Sequence, residues 1–400
     1  MRQSARRLAE LLSFGVAAIL LTPMVPAAMV PAAMVPAKAP RAPVLPADPS
    51  AAAKRLSPPR RTVSVIAGGD ILTENAVVTA AAGFAAGTGS RYDFAPVFAP
   101  VAPILRSADL AICHAEIPIG RPGQRPGVYG RSPFGGNLLL APYELAAGLA
   151  DSGFDRCSTA SNHSNDLGAG GIVSTLDAFD DSGITHVGTA RNPMEAVDTV
   201  FTVNGVRVAH LSTTRYGNTV SPSSAWLLNG PTAASDVAAR VASVRTSGAE
   251  IVIVSVHLSK EMLPTPIPAD RAFVTELTAL ASVDLVVQHG PHVIQPVEIV
   301  NGAIVYWSVG NFTSGMGVPG TGRYADQRTL DGLLAAVRFT EASPGDFDAA
   351  VSTVLICNER SSRTVHAPIS ELATPGHEPR LRTELTACVD RSLPVEPTLT

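Results

Sequence analysis

The sequence predicts an α/β protein, and three observations predict it. Seven short runs rich in Val and Ile read as strands: TVSVIAGGD (62–70), SADLAICHAE (107–116), GFDRCSTASNH (153–163), VRVAHLSTT (206–214), EIVIVSVHLS (250–259), VDLVVQHGPH (283–292) and AIVYWSVGN (303–311). Between them lie segments with apolar residues at helical spacing, most of which end in a small residue or Gly: 95–108, 142–153, 170–183, 235–248 and 271–282. With 46% hydrophobic and only 16% charged residues over 400 positions, the chain can bury the large core that such sheets need.

Taken in order, the chain opens with Arg2, Arg6 and Arg7 ahead of an apolar run from about Leu11 to Val25, then small residues at Ala27 and Ala28. That layout is a secretory signal peptide or an amino-terminal anchor over residues 1–30, and it places the protein outside the cytoplasm, secreted or tethered to the membrane. The apolar run is shorter than the roughly 20 residues of a bilayer span, and Pro23 and Pro26 interrupt its end. Residues 31–61 continue the MVPAA repeat begun at Met24 and stay rich in Pro and Ala, so they read as an extended, semi-rigid linker. The main domain is expected over 62–340, and residues 341–400 as a carboxy-terminal extension packing on it.

Of the four cysteines, Cys357 and Cys388 are the pair favoured for a disulfide in an exported protein. Cys113 and Cys157 lie in apolar strands and read as buried free thiols. A net charge of −4, with no Lys/Arg run after Arg61, argues against a nucleic-acid partner. The expected partners are a small-molecule substrate or an envelope polymer.

Polar residues gather where strands end. Asp70, His114 with Glu116, Asn162 with His163, His257, and His289 with His292 all stand at or just past the end of an expected strand. In α/β sheets these ends form the binding crevice, so residues more than 200 positions apart can converge there. Imidazole and carboxylate groups with an added amide oxygen suit a divalent metal, Mn, Fe or Zn, and a cluster of this size has room for two ions that would activate water and clamp phosphoryl or acyl oxygens. The G-x-S-x-G elbow, the Walker A loop, the G-x-G-x-x-G fingerprint and closely spaced cysteine pairs are all missing from the sequence.

The order of motifs resembles the CapA family of poly-γ-glutamate capsule proteins: GGDIL (68–72), DLAICHAEIP (109–118), SNHSNDLGAGG (161–171), HLSKE (257–261), QHGPHVIQPVE (288–298) and SVGNF (308–312). The resemblance implies a four-layer α-β-β-α sandwich of the calcineurin-like metallophosphatase type. It implies Asp70, Glu116, Asn162, His257, His289 and His292 as metal ligands, and His163, oriented by Asp166, as the acid or electrostatic stabiliser. Glu298 and Asn311 are assigned supporting roles, Glu298 fixing a loop and Asn311 bonding backbone near the site. His114 stands where the family carries Asn, and is either an extra ligand or a structural histidine. Leu72 replaces the histidine of the D-x-H motif, which weakens or removes a first metal site. Leu258 and Ser259 follow His257 where the family has H-W-G.

The resemblance further implies a role in making, exporting or anchoring an anionic envelope polymer, with membrane synthase or export partners. A metal-dependent hydrolase of phosphoesters or amides in envelope material is a second reading. A non-catalytic accessory subunit is a third.

Overall fold

β1 (Thr62–Leu72) is a run of small and β-branched residues buried along nearly its whole course, as a strand in the middle of a sheet between two packed layers must be. The structure is a computed structural model describing residues 60–392 except 231, 259 and 319–321. The expected secretory segment and all of the linker but Arg60 and Arg61 lie outside the described residues, as does Ser259.

After β1 come α1 (Asn75–Phe84), α2 (Ala95–Phe98), α3 (Ala102–Leu105), β2 (Leu110–Ala115), the hairpin of β3 (Gly127–Arg131) and β4 (Asn137–Leu140), α4 (Leu145–Ser152), β5 (Arg156–Ser158), α5 (Gly168–Asp181) and β6 (Thr185–Val187). The middle of the chain gives β7 (Val200–Val203), β8 (Val206–Thr214), α6 (Ala234–Thr246), β9 (Ile251–His257), α7 (Pro268–Leu280), β10 (Leu285–His289), β11 (Val297–Val300), β12 (Ala303–Tyr306) and β13 (Asn311–Ser314). The last part gives β14 (Asp331–Ser343), β15 (Asp346–Asn358), β16 (Val365–His366), α8 (Pro368–Leu372) and α9 (Pro379–Ser392).

These strands build two mixed sheets. The first runs β16-β15-β14-β1-β2-β5-β6, with β13 pairing the end of β1, and the second runs β11-β12-β10-β9-β8-β7. Alternation sorts their side chains into layers. Val63, Val65 and Ile112 of the first sheet and Val208, Ile253 and Val287 of the second share one apolar core between the sheets. On the outer face of the first sheet, Ala111 and Cys113 pack with Val77, Phe98, Leu149 and Phe179 of the helices α1, α2, α4 and α5. On the outer face of the second, Val252 and Val254 pack with Val241 of α6 and Leu277 of α7. This is the four-layer α-β-β-α arrangement.

The structure corrects three expectations. The segment 95–108 is two short helices, because Pro100 and Pro103 lack the amide hydrogens that a continuous helix would need. The boundary at 340 falls inside β14, and the segment beyond it supplies β15 and β16 to the first sheet as well as packing α9 on the core. Cys113 and Cys157 are not free: β2 and β5 are parallel neighbours that set the two residues directly opposite each other, with Cα atoms 4.4 Å apart, and they form a disulfide. Cys357 and Cys388 form a second, joining β15 to α9 across 6.4 Å between Cα atoms. Strand register, which brings Cys113 to Cys157, is not written in residue spacing.

Candidate metal centre

The centre lies where β1 and β2 of the first sheet and β9 and β10 of the second end side by side. Asp70 pairs in register with His114 on one side and with Asn311 of β13 on the other, while His257 pairs with His289 across β9 and β10. Two glycines make this approach feasible. A Cβ on Gly69 would lie 2.1 Å from the carbonyl oxygen of Gly310, and one on Gly290, where φ is +101°, would lie 1.9 Å from that of Leu258.

Asp70 is fully buried and is the hub. Its Oδ1 lies 3.1 Å from Nδ1 of His289, and its Oδ2 accepts from the Gly290 amide at 2.9 Å. Nδ1 of His292 reaches Asp70 Oδ2 at 3.1 Å and Asn311 Oδ1 at 3.0 Å, so this nitrogen carries the proton and Nε2 is turned toward Glu116 Oε1, 3.7 Å away. His292 holds this pose at a φ of +59°, a left-handed backbone that a residue with a Cβ rarely adopts. Asn311 thus bonds a side chain of the site directly, and its amide donates to the Thr329 carbonyl at 2.8 Å.

Beneath Asp70 three imidazoles stack. The rings of His114 and His289 are 3.9 Å apart between centroids, and His114 Nε2 is 3.1 Å from His257 Nδ1. His114 Nδ1 meets the Ser158 hydroxyl at 2.7 Å. Burial, followed by the charges of the neighbouring histidines, pushes His114 well down. Burial likewise pushes His257 down to about 3, so both rings are neutral and able to donate a lone pair. Asp70 is held well below the usual carboxylate range, because the His289 and His292 contacts outweigh its burial.

Above Asp70 a cavity of 150 Å³ opens, lined by Glu116, Asn162, His163 and His292 among others. Both carboxylate oxygens of Glu116 and Oδ1 of Asn162 are buried there without a hydrogen-bond partner. Burial raises Glu116 well above its ordinary range, with Asp70 adding to the repulsion and His292 opposing it. His163 Nδ1 lies 2.6 Å from Asp166 Oδ2, which also accepts from the Leu139 amide at 2.8 Å. Asn218 bonds the His163 ring and accepts from the Asn162 side chain at 3.3 Å.

Ligand atoms of Asp70, Glu116 and His292 lie within 4.8 Å of one another, as do those of Asp70, His114 and His289. A divalent ion fits this donor set: a buried carboxylate left without a hydrogen bond is costly, and a cation would satisfy it. Asp70, Glu116 and His292 would hold one ion, and Asp70, His114 and His289 a second. Nδ1 of His292 is already held by the side-chain oxygen of Asn311, a contact of the kind that orients a ligating imidazole. A further group, Asp331 with Cys357 and Cys388, offers no thiolate, since both sulfurs are in the disulfide.

The sequence-derived residues thus fall into two shells. Asp70, Glu116, His289 and His292 meet at the hub, and His114 joins them directly. His257 reaches the hub through His114. Asn162, His163 and Asp166 line or brace the cavity mouth. Glu298 lies away from it, in a two-point ion pair with Arg271 at 2.8 Å that fastens β11 to α7. Sequence reasoning missed Glu74, Asn218, Glu261 and Tyr324, all of which line the cavity. The signal for Glu74 was its position four residues after Asp70, just past the end of the first motif. Glu261 closes the HLSKE motif, while nothing around Asn218 or Tyr324 sets them apart in sequence.

Comparison with known proteins adds the following. Residues 64–316 match the family model described as bacterial capsule synthesis protein PGA_cap. The chain is 28% identical over 236 residues to capsule biosynthesis protein CapA of Bacillus anthracis, covering 57% of this chain and 56% of that protein. It is 28% identical over 205 residues to PGA biosynthesis protein CapA of Bacillus subtilis, covering 50% and 51%. It therefore spans about half the length of the curated relatives it matches. Among solved structures, the calcineurin-like phosphoesterase YfkN from Bacillus subtilis aligns with a TM-score of 0.42 and 13% identity, over 84% of this chain and 99% of that one.

Proposed function

Because this chain belongs to the bacterial capsule synthesis protein PGA_cap family, we propose that it acts outside the cytoplasm in the making, export or anchoring of an anionic envelope polymer such as poly-γ-glutamate. The observation that carries the reading is the buried Glu116 carboxylate, which lines the cavity beside His292 without a hydrogen bond and groups with Asp70 and His292. Such a centre, with a cation in place, attracts and orients a carboxylate or amide oxygen of a polymer unit. The amino-terminal segment delivers the domain to the envelope face, where membrane synthase or export proteins would be its partners. The test is deletion of the gene in its host, followed by complementation with the wild type and with Asp70→Asn. Loss of envelope polymer restored only by the wild type supports the reading, and unchanged polymer content overturns it.

A second reading is favoured by one specific feature. The two donor groups share Asp70, so its carboxylate would help to hold each of two ions. Bound ions would supply Lewis acidity and a water of lowered pKa, and His163, braced by Asp166 and Asn218, stands at the mouth where a leaving group would need a proton. On this reading the protein is a metal-dependent hydrolase of phosphoester or amide bonds in envelope material. Assays of purified protein loaded with Mn or Zn against both bond types decide it, and inactivity with every metal overturns it.

A further inference from the structure

The cavity at the metal centre adjoins two others. One, of 320 Å³, shares Glu74, Asn137 and Leu139 with it, and another, of 240 Å³, shares Asn162. The two outer cavities have no lining residue in common, so the centre lies between them. Besides the Glu116 carboxylate, which the cation would take, buried polar atoms without a hydrogen-bond partner stand on both sides of the centre: Thr73 Oγ1 in the first cavity and Asn162 Oδ1 where the middle meets the last. Folded proteins leave few such atoms, and a row of them marks where a ligand supplies the missing bonds.

The outer cavities also share a chemistry. Neither is lined by a Lys or Arg; Asn75 and Asn137 on one side offer amide groups, and Asn165 on the other, whose amide hydrogens go to Thr219 and Val220, offers its amide oxygen. Their rims carry apolar side chains unusually open to water, Val128 at 56% exposure on the first and Phe134 at 69% and Val220 at 71% on the last. Amide side chains match the alternating donors and acceptors of an amide backbone, and the apolar rims match its methylene groups.

Building on the polymer reading above, we propose that the three cavities form one groove that takes a linear polyamide chain by its interior, with flanking units on both sides and the metal centre facing an inner linkage. Recognition rests on the backbone of the chain, and the outer subsites leave its carboxylates to solvent. A site closed around a chain end would need one blind side, and the pairing of cavities about Asn162 and Glu74 supplies none.

The experiment uses the full chain loaded with Mn and γ-linked oligoglutamates of two to about eight units, acetylated at one end and amidated at the other, with binding read by calorimetry. Affinity is expected to rise about tenfold or more with length before it levels, and blocking the ends should leave it unchanged. Val128→Glu and Val220→Glu, each at an exposed position, should weaken the longest oligomer about fivefold or more while sparing metal content and dimer binding. The groove is overturned if the dimer binds as tightly as the octamer, if blocked ends abolish binding, or if a neutral oligosaccharide of equal length binds tighter. Failure of every oligoglutamate, blocked or free, overturns the polymer reading itself and the groove with it.

Discussion

His289 and Asp70 stand 219 positions apart in the chain and meet at 3.1 Å, the carboxylate from the end of β1 and the imidazole from the end of β10, across the seam between the two sheets. The contact ties the two layers together and places the one carboxylate common to both candidate metal groups at their junction.

From this follows the first prediction. Asp70→Asn keeps the shape and the acceptor for the Gly290 amide but removes the charge both groups need. Elemental analysis after dialysis against Mn or Zn should find metal in the wild type, and affinity in the variant should drop about a hundredfold. Wild-type protein at a hundred times the dissociation constant should gain about 2.7 kcal/mol of stability, visible as a higher Tm that the variant does not share. Equal metal content in the two proteins would contradict the assignment.

The second prediction concerns pH. Burial opposes a charge on His292, but Glu116 and Asp70 outweigh it and hold the imidazole up to about 10, against an ordinary value of 6.5. A group whose pKa is higher folded than unfolded stabilises fully below the unfolded value, and the contribution disappears as pH rises through the folded one. The metal-free protein should therefore lose stability between pH 6.5 and about 10, with a slope of at most about 1.4 kcal/mol per pH unit. Urea titrations at stepped pH measure the slope, and His292→Asn should flatten it above pH 6.5. Metal affinity should run the other way and tighten as pH rises, because a ligating imidazole nitrogen must be free of its proton.

Much of this centre was legible in the sequence because its residues stand at strand ends, where hydrophobic alternation stops and a polar residue stands out. Asp70, His257 and His289 close runs such as TVSVIAGGD and EIVIVSVH, and the parallel order of those strands carries them to one edge. What stayed hidden depends on lateral register and on loop paths. Cys113 and Cys157 meet only because β2 and β5 are neighbours in register, and Asn218 reaches His163 from a loop with no periodic signal. β15 was missed for a related reason: its first half, DFDAAVST, pairs with β14 alone, is largely exposed and lacks the apolar run that marks a buried strand.

The third prediction separates His163 from the metal ligands. Its ring is fixed by Asp166 and Asn218 and lines the cavity without belonging to either donor group. His163→Gln should leave metal content unchanged. On the hydrolase reading it lowers turnover about 10²- to 10⁴-fold, and Asp166→Asn lowers it less, because the ring would be misoriented but still present. Loss of metal from His163→Gln would place the residue among the ligands instead.

The fourth prediction concerns the carboxy-terminal helix. Leu385 and Cys388 of α9 are buried in the core between the sheets, and Arg391 forms a two-point ion pair with Asp331 at the start of β14, at 3.0 and 2.6 Å. The Cys357–Cys388 bond closes a loop with a sequence separation of 31, and a loop of that size stabilises by roughly 3.7 kcal/mol through the entropy it removes from the unfolded chain. Replacing both cysteines with Ser should therefore lower the unfolding free energy by about 2–4 kcal/mol in urea titrations. The helix itself should become the first segment cut in limited proteolysis, since only two of its side chains are fully buried. Metal content should not change, because the bond lies outside both donor groups at the centre. In a Cys113→Ser, Cys157→Ser background, an unfolding midpoint that does not move under reductant would show that docking of Leu385 and the Arg391 pair holds α9 without the bond.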